Sequence, residues 1–216
     1  MSTITAALHR RTAHRMGMPV SLALRGRAAG SEEADAAWQD ALRELDRLDA
    51  MFSTYRSDSV VSRLDRGELD VSDLQPEVAE VIEIGERARA ESGGAFAIWR
   101  PDLSGRLRLD PSGVVKGWAV ERAAAPLLAL TETDVCLSAG GDMVCRTADP
   151  DGVPWQIGIE NPHERRRLIA VVPIRSGAIA TSGTAHRGAH LVDARTGRIP
   201  DGVASVTVLT LSLIHI

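Results

Sequence analysis

DPSGVVKGWAVERAAAPLLALTETDVCLSAGGDMVCR, residues 110–146, is where the chain changes from one periodicity to another. Trp118, Ala119, Ala123, Leu127 and Leu128 recur at helical spacing, which predicts a helix over 116–130. Beyond it the pattern becomes that of short strands, predicted at 134–138, 142–146, 154–160, 168–174, 178–181 and 203–210, with Gly and Pro between them. Before it, MPVSLALR (18–25) reads as a strand. Ser31, followed by Glu32, Glu33 and Asp35, starts a helix over 31–50 whose apolar face carries Ala34, Trp38, Ala41, Leu45 and Leu48. Residues 52–68 are polar and loop-like, with a helical turn at 59–65. Pro76 opens a further helix that Ser92-Gly93-Gly94 closes. Helices early and strands late define an α+β fold rather than regular βαβ winding.

Composition narrows the function classes. The 216 residues are 44% hydrophobic and 25% charged, enough apolar material for a sizeable core. A net charge of -4 offers no basic field for nucleic acid, and 3% aromatics offer no stacking platform for bases. No run is long and apolar enough to span a membrane. Arg10 and Arg11 are followed by polar residues rather than the apolar stretch of an export signal, so a cytoplasmic location is expected. Cys136 and Cys145 are too few for a disulfide scaffold or a cysteine-rich zinc site, and a bond between them is left open. Of the 25 basic residues, Lys116 is the one lysine. Arginine is not its chemical equivalent, so this position stands out.

Glycine-bearing loops recur at Met16-Gly17, Gly93-Gly94-Ala95-Phe96, Ser112-Gly113, Ala139-Gly140-Gly141-Asp142 and Ser182-Gly183-Thr184. Each either is a tight turn or lets backbone amides approach a phosphate. In Asp110-Pro-Ser-Gly-Val-Val-Lys116, a loop leads to a helix start beside an ammonium. That is a pyrophosphate site, or else a surface lysine with an aspartate capping the helix. Its spacing is neither a Walker A loop nor a dinucleotide fingerprint. In His190-Leu-Val-Asp193-Ala-Arg-Thr-Gly197, a histidine suited to take a hydroxyl proton has a carboxylate three residues on, or is a structural histidine.

Together these motifs resemble the ApbE family, the FAD:protein FMN transferases, most of all its actinobacterial branch. The resemblance runs in the family's order from Met16 to Thr210, through MGMPVSLAL, DAMFSTYRSDSVVSRLDRGE, SGGAF, LDPSGVVKGWAVERAA, LSAGGDMV, PWQIGIENP, AIATSGTAHRG, HLVDARTGRIP and SVTVL. It implies a two-lobed, T-fold-like body with FAD between the lobes. By position it places Met16, Tyr55, Gly94, Ala95, Phe96, Asp110, Lys116 and Leu191 along FAD, the Gly113 carbonyl on magnesium, and His190 as the base. Lys116 joins His190 as a catalytic residue. The sequence departs from the family in having Ala97 for Asp, Met18 for Thr and Ala194 for Pro.

The domain organisation expected from this resemblance is an N-terminal extension over 1–15, an ApbE-like domain over 16–210, and a non-native tail over 211–216. The tail LSLIHI resembles a translated sequencing-library adapter. In the family an Ala-Asp-Ala-x-Ala-Thr helix follows instead, and its Asp and Thr complete the magnesium site. The implied reaction moves FMN from FAD to a Thr or Ser hydroxyl of an acceptor flavoprotein, with magnesium, and releases AMP. A FAD-binding protein without transfer, a magnesium-dependent FAD pyrophosphatase and a dimerising α+β scaffold are the rival readings.

Overall fold

The computed structural model describes residues 7–102, 104–183, 191–200 and 202–215. Its element order is β1 (His9–Arg15), β2 (Met18–Gly26), α1 (Glu32–Phe52), α2 (Val60–Asp65), α3 (Pro76–Glu91), β3 (Trp99–Pro101), β4 (Leu107–Leu109), α4 (Ser112–Leu128), β5 (Thr133–Ala139), β6 (Asp142–Arg146), β7 (Trp155–Asn161), β8 (Glu164–Ile174), β9 (Ser176–Gly183) and β10 (Ser205–Thr210). The expected α+β class, with early helices and a β-rich later part, is the class observed.

Six strands form one antiparallel sheet in the order β1-β2-β5-β6-β9-β10. Period-2 burial fixes its faces. Met18, Val20, Leu22 and Leu24 of β2, with Val135, Leu137 and Ala139 of β5, bury their side chains in the main core. α1 and α4 supply the other half of that core. α1 begins where Ser31 Oγ accepts the Ala34 N–H at 3.2 Å, and it buries the predicted Ala34, Trp38, Ala41, Leu45 and Leu48. Trp118 of α4 lies wholly inside, edge-on to Phe52 with ring centroids 5.5 Å apart. Each such fully buried large side chain stabilises the fold by about 1.5–3 kcal/mol. A second cluster, Cys145, Trp155, Ile157, Ile174 and Ile179, is built between the sheet and the β7–β8 hairpin.

Three features were not part of the sequence reading. The stretch expected as an extension before Met16 is, from His9 onward, an edge strand paired with β2 along its whole length. HRRTAHR has no apolar alternation. Backbone pairing and two ion pairs to α1, Arg11–Asp35 and Arg15–Asp46, hold it there, and edge strands tolerate charge. α4 starts at Ser112 rather than 116, which puts Lys116 past the helix's first turn. The expected tail packs against α4. Leu213 is 5% exposed and lies beside Gly117, while Ser212 Oγ donates to the Glu121 carboxylate at 2.7 Å.

Candidate functional site

Five loops converge at the end of the sheet where β2 begins and β5 ends. Met16 and Gly17 turn the chain from β1 into β2 with positive φ, 51° and 69°. Gly140 and Gly141 turn it from β5 into β6, also with positive φ, and the Gly140 N–H donates to the Pro19 carbonyl at 3.1 Å. A Cβ on Gly140 would stand 3.1 Å from Met18 Sδ and 3.2 Å from Lys116 Cε. Both backbone conformation and space therefore call for glycine there.

Lys116 reaches this turn from α4. Its Nζ donates to the Gly140 carbonyl at 2.7 Å and lies 3.1 Å from Asp142 Oδ1. The ammonium thus clamps the glycine turn and counters a largely buried carboxylate. One turn earlier, a Cβ on Gly113 would meet the Phe96 ring at 2.8 Å, so the start of α4 seats directly on Phe96. Phe96 is held in turn by its N–H, which donates to Ser92 Oγ at 3.0 Å. Asp110 accepts the Ser112 N–H at 3.2 Å, fixing the helix entry, and its other oxygen pairs with Arg100. Arg100 offsets a negative charge that would otherwise oppose an anion at this helix end.

The loop after Leu191 closes on the same place. The Ala194 N–H donates to the Ala95 carbonyl at 3.1 Å, and a Cβ on Gly94 would lie 3.5 Å from Arg195 Cγ. Asp193 accepts from the Arg195 side chain and from its backbone N–H at 2.9 Å. These bonds, the guanidinium's first, hold the Asp193 carboxyl below the usual range. Leu191 itself is half-buried.

The structure therefore joins Met16, Gly94, Ala95, Phe96, Asp110, Gly113 and Lys116 in one continuous set of contacts and chain neighbours. Tyr55 has a different setting. It is 98% exposed on the loop between α1 and α2, and lines a cavity of about 240 Å³ with Asp65, Arg108 and Leu109. Asp65, almost covered, accepts the Leu109 N–H at 2.8 Å and pairs with Arg108, so this cavity adjoins Asp110 along the chain. His190 lies outside the described residues. Arg100, Asp142 and Arg195 were missed by sequence reasoning. Asp142 was visible as the end of the Ala-Gly-Gly-Asp loop, but nothing local announced its ion pair.

Glycine turns and a helix start with a nearby ammonium suit a phosphate-bearing ligand. Magnesium is a separate matter. Among the described residues no three His, Cys, Asp or Glu side chains converge as a metal site. The Gly113 carbonyl is a single neutral oxygen, and magnesium gives up water reluctantly. The described residues do not by themselves fit the ion.

Comparison with known proteins puts this geometry in context. The ApbE family model matches residues 16–104 and 98–215. A FAD:protein FMN transferase from Vibrio cholerae is 35% identical over 116 residues, covering 49% of this chain and 35% of the relative. One from Rhodobacter capsulatus is 30% identical over 164 residues, covering 72% of this chain and 27% of the relative. The matches span about a third of these curated relatives' length. Among solved structures, the flavin transferase ApbE of Vibrio cholerae superposes with a TM-score of 0.78 at 23% identity, over 97% of this chain and 84% of that one. The apo flavinyl transferase ApbE of Pseudomonas stutzeri gives 0.79 at 22%, over 100% and 83%. Among the described residues no helix is long and apolar enough to cross a membrane.

Proposed function

The chain belongs to the ApbE family, and on that premise we propose that it transfers the FMN half of FAD to a Thr or Ser hydroxyl of an acceptor protein. The observation that carries this reading is the convergence of positions far apart in sequence. The turns at 16–17 and 140–141, the loops at 92–97 and 193–197, and the start of α4 meet at one end of the sheet. Of the residues that the family resemblance places along FAD, Met16, Gly94, Ala95, Phe96, Asp110 and Lys116 lie on or beside these segments.

In the reaction the acceptor oxygen attacks the FMN phosphorus, and the bond from that phosphorus to the AMP oxygen breaks. The hydroxyl proton passes to His190, and AMP leaves. The glycine turns and the N-terminal amides of α4 hold the phosphates in line. Lys116, anchored on Gly140 and Asp142, keeps the turn that faces them in place. Magnesium, where bound, would offset negative charge on the pyrophosphate. The Gly113 carbonyl is the contact that the family resemblance implies for it on this chain.

The test is incubation with FAD, with and without magnesium, and a candidate acceptor, read by intact mass and by nucleotide chromatography. An acceptor heavier by one FMN, with AMP released, supports transfer. FMN and AMP without protein labelling would make the chain a pyrophosphatase. Saturable FAD binding with neither product would make it a flavin-binding protein.

A further inference from the structure

The sheet face opposite the helices holds both cysteines of the chain, and neither belongs to the site above. Cys136 of β5 and Cys145 of β6 face each other across the antiparallel pair. The strands are joined by the two-residue turn Gly140-Gly141, with φ of 55° and 95°. Residues flanking such a turn form a hydrogen-bonded pair, here Ala139 and Asp142. Alternation along the ladder then makes Cys136 and Cys145 a non-hydrogen-bonded pair. Side chains approach most closely in pairs of that kind, and their Cα separation, about 4.5 Å, lies within the range a disulfide spans. The two sulfurs are already 3.4 Å apart.

The two thiols differ in access and in charge environment. Cys145 is 2% exposed, sealed in by Trp155, Ile157, Ile174 and Ile179. Cys136 is partly buried and lines a groove of about 310 Å³ between the sheet and the β7–β8 hairpin, together with Arg10, Ser21, Met143 and Gly158. A small reagent entering the groove meets Cys136 first. The hydrogen bond from Cys145 holds the Cys136 thiol below its ordinary value against the opposing effect of burial, and the Arg25 guanidinium assists. Arg25 is fixed in place by Asp134 at 2.6 Å and by the Trp155 ring. The same hydrogen bond, then burial, pushes Cys145 up. A thiol that opens on a groove, backed within contact distance by a buried thiol, is the arrangement that thiol–disulfide exchange requires.

We propose that Cys136 and Cys145 form a reversible dithiol–disulfide couple, with Cys136 attacking and Cys145 resolving, and that its oxidant is a low-molecular-weight disulfide. Cys136 Sγ attacks one sulfur of the small disulfide, whose S–S bond breaks and releases one small thiolate. Cys145 Sγ then attacks Cys136 Sγ and expels the second small thiol. The two cysteines lose two electrons, the small disulfide gains them, and the two cysteine protons leave on the two released thiols. The couple sits on the hairpin whose tip carries Gly140 and Asp142, so the bond would pin the strands that present the Lys116 anchor.

The test uses the folded full chain, incubated with oxidised glutathione at neutral pH, then denatured and quenched with N-ethylmaleimide for intact mass. The expected result is the loss of two hydrogens and of both maleimide additions, reversed by a reductant. Cys145→Ser should stop at a stable glutathione adduct, and Cys136→Ser should take none while folded. A wild-type chain that keeps two alkylatable thiols, stops at a mixed disulfide or cross-links to a second chain would overturn the proposal. The wild-type measurement decides this even if a variant fails to fold.

Discussion

Replacing Lys116 by methionine separates a lysine that serves the fold from one that serves only a ligand. The Lys116 and Asp142 side chains are 25% and 11% exposed, and their charges stand 3.1 Å apart. Unit charges at that distance attract by ~5 kcal/mol at an effective dielectric near 20. Desolvation of both groups offsets part of this, so removing one partner from a partly covered pair should cost about 2–3 kcal/mol. Methionine keeps the stem and its packing against Gly140, so the loss is electrostatic. For a chain of this size that corresponds to a Tm lower by about 4–12 °C. Urea denaturation and calorimetry measure it. A Lys116→Met, Asp142→Asn double variant should recover part of the loss, because the covered carboxylate is neutralised together with the ammonium that faced it. Lys116→Arg should not restore either stability or flavin affinity. The lysine stem runs directly against the Gly140 backbone, and a planar fork is broader than an ammonium. A Lys116→Met protein within about 0.5 kcal/mol of wild type, the scatter of an ordinary surface substitution, with FAD binding weakened nonetheless, would refute the anchoring role. The ammonium would then act on the ligand.

Three further outcomes are expected. His190→Ala should lower the transfer rate by about 10²–10⁴ while leaving FAD affinity near wild type, measured by product kinetics and flavin-fluorescence titration. Equal loss of both would make His190 a cofactor contact. Leu213→Ala should cost about 2 kcal/mol in urea unfolding, since the side chain is buried beside Gly117 at the edge of the core. An unchanged midpoint would show that Leu213 does not pack against α4. Glu44 and Glu77 are both held below the usual carboxylate range, chiefly by hydrogen bonds from Arg47 and secondarily by Arg122. Because their folded values lie below their unfolded ones, the stability they add is intact above about pH 4.3 and is lost as pH falls through the lowered folded values. Arg47→Gln should flatten that acid limb, read as urea midpoint against pH.

The legible parts of this protein are those governed by neighbours in the chain. The helix beginning at Ser31 carries its own cap, its first-turn acids and its apolar stripe, and each of these does in the structure what its spacing implies. Strand β2 alternates buried and exposed along most of its length. β1 was not legible because HRRTAHR has no pattern to read. Its place depends on an open edge of β2 and on acids of α1. The start of α4 was read a turn late, since Ser112 and Gly113 are weak helix formers and the Asp110 carboxylate that fixes Ser112 lies outside the helix.

By itself the sequence determined the α+β class, most elements and the glycines on which the site's turns depend, because periodicity and backbone freedom are local properties of the chain. It also carried the family, through motifs kept in order. The tertiary structure alone decided the strand order β1-β2-β5-β6-β9-β10, the seating of Gly113 on Phe96, the Lys116–Asp142 clamp and the placing of the two cysteines on the face away from the helices. These pairings are choices among many distant partners of similar local chemistry. What selects among them is which sheet face and which loop ends are brought together when α1, α4 and the β7–β8 hairpin bury their apolar sides.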